Sequence, residues 1–341
     1  MKMKIKVLPR TRAAKWRAAV VVGLPLLALL TYLLWSPGAS VDDGRHDRGT
    51  NGIWLSHAWL GDDGWFERQD RLADVPQFRD DARIAELMQR MDRHGITDLM
   101  PHAGPATPGG QLPPLDDGQV ERFLDAAGDW RVMPWIGGIL GEHCLPDSER
   151  WRANFTASVV DLLRRHPRLA GIHLNVEPWP DGHAGMLTLL EELRAAMPNG
   201  TLLSIAAYPP PTRWHPHPEV HWGEAYFQQV ASRSDHLAVM MYDTSIRLRK
   251  PYVHLMAGWT EQVLDWSGDT PVLLGLPAYE DEGVDYHHPR VENLATGLAG
   301  VHAGLDRGEL PDHYRGIAVY SHWTMDESEW QLLADRFNAG R

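Results

Sequence analysis

Three polar side chains at a spacing of two, His173, Asn175 and Glu177, alternate with Ile172, Leu174 and Val176. In an extended chain a period of two puts all three on one face, so a single strand presents an imidazole, an amide and a carboxylate in line. The run ends on the acid and passes into Pro178 and Trp179. A glutamate at the C-terminal end of a buried strand is suited to moving protons, because a parallel barrel collects such strand ends on one catalytic rim. The same alternation would also arise in an edge strand with its polar face in water.

The elements that must position this strand read as a parallel α/β pattern. From Asn51 onward, short apolar runs alternate about eight times with longer amphipathic stretches. Candidate strands are 52–57, 98–102, 131–136, 170–177, 202–207, 237–243, 272–277 and 316–321. Between them, 82–94, 151–166 and 185–197 carry apolar residues at helical spacing, as with Ile84, Leu87, Met88 and Met91. Eight strands with following helices predict a (β/α)8 TIM barrel over 51–341. Polar and aromatic residues collect just after the strands: His57, Trp59, His102, Trp135, Glu177, Trp179, Tyr208, Tyr242, Asp243, Tyr279, Glu280, His322 and Trp323. A barrel brings such positions to one rim.

The N-terminus is of another character. Seven of the 33 Lys and Arg lie within residues 1–17, and the uncharged run from Ala18 to Trp35 follows. Basic residues ahead of an apolar stretch predict a cytoplasmic tail (1–17), a transmembrane anchor or signal segment (18–35), a linker (36–50) and a domain outside the cytoplasm, periplasmic or extracellular. Secretion after signal cleavage is the alternative. Beyond the tail, the remaining Lys and Arg face 45 Asp and Glu, a charge of about −19. That balance argues against nucleic acid and favours a neutral or basic ligand. Cys144 is the only cysteine, so no intrachain disulfide forms.

Four stretches in order carry a resemblance to the family-18 glycoside hydrolases, the chitinase-like (β/α)8 barrels. Ala170, Gly171, His173, Asn175 and Glu177 align with that family's fourth-strand D-G-x-D-x-D-x-E. Trp135-Ile136-Gly137-Gly138 is similar to its third-strand S-x-G-G, Met240-Met241-Tyr242-Asp243 to its M-x-Y-D, and Gly275-Leu276-Pro277-Ala278-Tyr279 to its G-L-P-x-Y. The resemblance implies a retaining hydrolase of N-acetylhexosamine glycans in which the substrate's acetamide is the nucleophile. Glu177 would be the acid/base, with Asn175, Tyr242 and Asp243 positioning the acetamide. The acidic ladder itself is altered: His173 stands where the family has an aspartate. A protonated His173 near Glu177 would lower the acid's pKa, whereas a hydrogen-bonded core histidine would not.

Fifteen tryptophans suit a carbohydrate ligand, whose apolar faces stack on flat rings. Expected substrate contacts are Trp54, His57, His102, Trp135, His173, Trp179, Tyr208, Tyr279, Tyr320 and Trp323, and the rim loops also hold Trp59, Trp65, Trp214 and Trp222. By strict register Tyr320 takes the eighth-strand position where the family has tryptophan, and Trp323 takes it only across a bulge. Two alternatives stay open: a lectin-like barrel that binds sugar without hydrolysing it, and a glycosidase with Glu280 as nucleophile about 5 to 5.5 Å from the acid. His215, His217, His221, His287 and His288 cluster in sequence without the spacing of a zinc motif, so the sequence calls for no metal and no cofactor.

Overall fold

The computed structural model describes residues 12–213, 215, 217–281 and 283–339, and only the backbone of 12–20. The chain divides after Pro37 into two units. The first contains helix α1 (Arg12–Leu34), with Pro25 inside it. No helix among the described residues is long and apolar enough to cross a membrane. The transmembrane segment expected over 18–35 is therefore not supported. Of the expected basic tail, residues 1–11 lie outside the described residues.

The second unit is an α/β barrel of parallel strands. Its elements are β1 (Asn51–Leu55), α2 (Gly64–Arg68), α3 (Asp81–Arg93), β2 (Ile96–Pro101), α4 (Asp117–Ala127), β3 (Arg131–Val132), β4 (Trp135–Ile139), α5 (Glu149–Arg165), β5 (Gly171–Glu177), α6 (Ala184–Ala196), β6 (Leu202–Ala207), α7 (Glu224–Ala231), β7 (His236–Met240), α8 (Arg249–Trp266), β8 (Val272–Pro277), α9 (Leu294–Leu305), β9 (Tyr314–Tyr320) and α10 (Glu327–Leu332). The strands pair in the order β3-β2-β1-β9-β8-β7-β6-β5-β4. One expected strand, 131–136, is thus two segments. Pro134 lacks the N–H that a continuous ladder needs. The ring closes across the break: Met133 N donates to Leu99 O (2.9 Å), Ala103 N to Trp135 O (2.8 Å) and His173 N to Pro134 O (2.9 Å).

The helices pack by the faces their spacing predicts. Helix α3 buries Ile84, Leu87, Met88 and Met91, each worth about 1.5–3 kcal/mol when withdrawn from water. Their starts are capped by Asp80 (α3), Asp116 (α4) and Ser148 (α5), while Asn293 (α9) and Asp326 (α10) form capping boxes. Each cap satisfies a backbone N–H that the helix leaves open, for about 1 kcal/mol.

Inside the barrel, Trp54, Met100, Met133, Ala238, Leu273 and Ala318 form a separate apolar cluster. Two glycines let the neighbours of Asn175 and Glu177 close in. Gly137 (φ +135°) lies opposite Asn175, where a Cβ would stand 1.9 Å from the Asn175 carbonyl oxygen. A Cβ on Gly171 would stand 1.9 Å from Leu202 O. Backbone meets backbone at both places, so no side chain can move aside. Gly137→Ala is therefore expected to lower the melting temperature by several degrees, and more than Gly128→Ala, whose added Cβ meets nothing within 4 Å at a similarly positive φ of +59°. Calorimetry of the two variants checks the order, and equal losses would contradict it.

Candidate active site

Strand β5 ends at the barrel rim with Glu177 exposed to solvent and Asn175 buried behind it. Asn175 Nδ2 donates to Glu177 Oε1 (2.9 Å), and Tyr208 OH lies 3.5 Å from Oε2. Asn175 Oδ1 is buried without a hydrogen-bond partner among the described residues. Crowding around the carboxyl deprives it of water and pushes its pKa up; the bond from Asn175 opposes this, and the Asp243 charge adds to it. Because the residue still opens to solvent, the screened shift is smaller than full burial would produce.

His173 is fully buried, as a core histidine would be, and does not reach the cleft as a substrate contact. Its Nε2 accepts from Trp54 Nε1–H (3.0 Å), so the ring's proton is on Nδ1, 2.8 Å from Ser204 Oγ. Ser204 Oγ stands 2.9 Å from His236 Nδ1, whose other nitrogen lies 3.5 Å from Asp98 Oδ2. Arg131 closes this chain with two hydrogen bonds to Asp98. Burial holds His173 down to a pKa of about 3, so it is neutral and adds no positive charge to the acid's surroundings.

Beyond β7, Asp243 adopts φ +61°, a left-handed conformation that side chains rarely hold unaided. Three neighbours brace it. Tyr279 OH donates to Oδ1, His287 Nδ1 is 3.1 Å from the same oxygen, and His215 Nε2 bonds the Asp243 carbonyl. Glu292, fully buried, accepts from Thr244 N (2.9 Å), and burial pushes its pKa up to about 7. Tyr242 stacks on Tyr320 (5.6 Å, 18°), and burial raises its hydroxyl pKa, so it stays a donor.

Two cavities meet this group. A small one of about 60 Å³ is lined by Glu177, Tyr208, Tyr242, Asp243 and His215 among others. A large one of about 750 Å³, within the roughly 300–1,000 Å³ of ligand pockets, holds His57, His102, Trp135, Tyr320 and Trp323 in its wall. The stacked pair joins them, since Tyr242 lines the first and Tyr320 the second.

The expected residues therefore sort into two sets. Glu177, Asn175, Tyr208, Tyr242, Asp243, Tyr279 and Tyr320 come together, with His57, His102, Trp135 and Trp323 along the larger cleft. Trp54, His173 and Trp179 do not join them, being at most 1% exposed. Trp54 fills the barrel, and Trp179 donates to Tyr226 OH (2.7 Å) while packing on Trp222. Trp222 is buried as well, Trp59 and Trp65 line the cleft, and Trp214 lies outside the described residues. Tyr320 stands at the end of β9 as strict register expects. Glu280 is exposed and lines neither cavity. Arg71, Arg83 and Arg90 line the cleft together with Glu86, and two of them are paired, Arg71 with Asp74 (2.8 Å) and Arg90 with Glu327 (3.2 Å).

No protein family and no curated protein matches the chain by sequence. Solved structures do match it in fold. The Bacillus cereus spore cortex-lytic enzyme SleL superposes with a TM-score of 0.53 at 12% identity, over 84% of this chain and 74% of that one. A putative chitinase A from Streptomyces coelicolor gives 0.52 at 16% identity, over 74% and 90%. The fold is chitinase-like. GH5_18 from Streptomyces cattleya, solved in complex with Manb1-4GlcNAc, gives 0.52 at 15% identity, over 80% and 70%, so this chitinase-like barrel shares its frame with barrels beyond the chitinases.

The buried rings give the chitinase-like barrel a pH dependence. Eight of the described histidines, 94, 102, 173, 215, 221, 236, 302 and 322, are held below their ordinary pKa, chiefly by burial. Unfolding lets each take up a proton below about pH 6.5, so their contribution to stability is lost as pH falls. Four carboxyls with raised pKa, Asp98, Glu177, Glu292 and Glu329, act the opposite way, as does His287. The larger group decides the sign: the melting temperature is expected to drop steadily from about pH 6.5 toward 4. A flat or rising profile in calorimetry would contradict the burial of these rings.

Proposed function

We propose that this protein is a glycoside hydrolase acting on glycans that contain N-acetylhexosamine, by substrate-assisted retaining hydrolysis. The observation that carries the reading is the amide of Asn175, whose Nδ2 is committed to Glu177 while Oδ1 is left without a partner. A buried acceptor without a donor is costly, and the N–H of a substrate acetamide is a donor of the right kind.

In this reading Glu177, whose hold on its proton is strengthened by crowding and by the Asp243 charge, gives that proton to the glycosidic oxygen as the bond to C1 breaks. The acetamide carbonyl oxygen attacks C1 from the other face, while its N–H donates to Asn175 Oδ1 and its oxygen accepts from Tyr242 OH. Asp243 lends negative charge to the cationic ring that results. The Glu177 carboxylate then takes a proton from water, which attacks C1 and returns the acetamide. The sugar retains its configuration. We place the domain outside the cytoplasm on the basic, then apolar, order of its N-terminal sequence.

Turnover of N-acetylglucosamine oligosaccharides by the full chain tests the proposal. Glu177→Gln is expected to lower kcat by about 10²- to 10⁴-fold with little change in KM. Tyr242→Phe should cost about 10- to 100-fold, the value of a hydrogen bond to a developing charge. Glu280→Gln should leave more than a tenth of the rate. Saturable glycan binding without turnover by the wild type would instead make the protein a sugar receptor, and near-complete loss in Glu280→Gln would make that residue the nucleophile.

A further inference from the structure

We propose that His57, Asp62 and His102 form a binding site for one divalent transition-metal ion, zinc by its ligand set, opening into the large cleft. The three residues come from the loops after β1 and β2, and their donor atoms all lie within 4.8 Å of one another. His57 Nδ1 is 2.9 Å and His102 Nδ1 3.9 Å from the same oxygen, Asp62 Oδ2. Ligands at the roughly 2.0–2.1 Å of zinc to nitrogen or oxygen stand about 3.3 Å apart in a tetrahedron, a spacing that these two distances bracket.

The hydrogen-bond count leaves one contact of the trio without a donor. His102 Nδ1 accepts from Gly104 N (3.3 Å), so that nitrogen carries a lone pair and faces the Asp62 carboxylate with no proton between them. His57 supplies only one proton to the group. Asp62 is 2% exposed, and a buried carboxylate opposed by a lone pair needs a cation or a second donor. The two rings lie side by side, centroids 3.7 Å apart, each with Nδ1 toward Asp62, and His57 stacks flat on Trp65 (5.0 Å, 11°). Both imidazoles line the 750 Å³ cleft, whereas Asp62 sits behind them. Two imidazoles and a carboxylate with a fourth position turned to a cavity is the arrangement of an open zinc site. That position would take water or an oxygen of a bound glycan.

The site stands independently of the hydrolytic reading, and zinc chloride alone probes it. Calorimetric titration of the metal-free full chain is expected to show one equivalent of Zn²⁺ bound, weakened at least 100-fold in both His57→Gln and Asp62→Asn. Circular dichroism establishes that each variant is folded. If either fails to fold, electron paramagnetic resonance of the Cu²⁺-loaded wild type decides, with couplings expected from two imidazole nitrogens. The other such cluster found among the described residues, Asp243, His287 and Glu292, offers one imidazole. Absence of binding, equal binding by the folded variants, or coupling to a single imidazole would each overturn the proposal.

Discussion

Strand β5 can place a carboxyl at the rim only because its neighbours come close enough to hold it, and that contact is backbone against backbone. Gly137 leaves room for the Asn175 carbonyl, and Gly171 does the same for Leu202. With this register, Trp135 pairs with His173 and Ile139 with Glu177. The inward row of β5 then meets Trp54 and Ser204 inside the barrel, while its last residue emerges at the rim. A shift of one residue would turn the whole polar row outward.

The barrel interior meets the cost of burying polar groups by pairing them. Trp54, His173, Ser204 and His236 form a hydrogen-bonded line of neutral groups, anchored near Asp98 and Arg131. Neutrality matters for the rim. A charged imidazole two residues from Asn175 would favour the ionised form of Glu177, whereas a neutral one leaves crowding and the Asp243 carboxylate to favour the protonated form. Asp243 in turn depends on Tyr279 and His287 for its conformation, so three loops converge on the charge that faces the acid.

Much of the frame was legible because it follows periodicity. The alternation of β5 and the apolar stripe of α3 are properties of spacing, and the structure reproduces both. The broken third stave was visible as Pro134, yet its flanks read as one strand because both belong to the same barrel position. Tryptophan was harder to read: its size suits a core and its flat face suits a sugar, so Trp54 and Trp179 looked like ligand platforms but fill space. Residues that act through distant contacts carried little local signal. Glu292 bonds a backbone N–H far along the chain, and His57 and Asp62 meet His102 only across two loops.

The central claim is that Glu177 holds its proton more tightly than an ordinary glutamate while a neutral histidine sits beneath it. The most direct measurement is a ¹³C NMR titration of the full chain labelled at the glutamate carboxyl carbon, with the Glu177 signal assigned by its loss in Glu177→Gln. A midpoint above the usual value of about 4.3 is the expected result. A midpoint at or below that value would contradict the account.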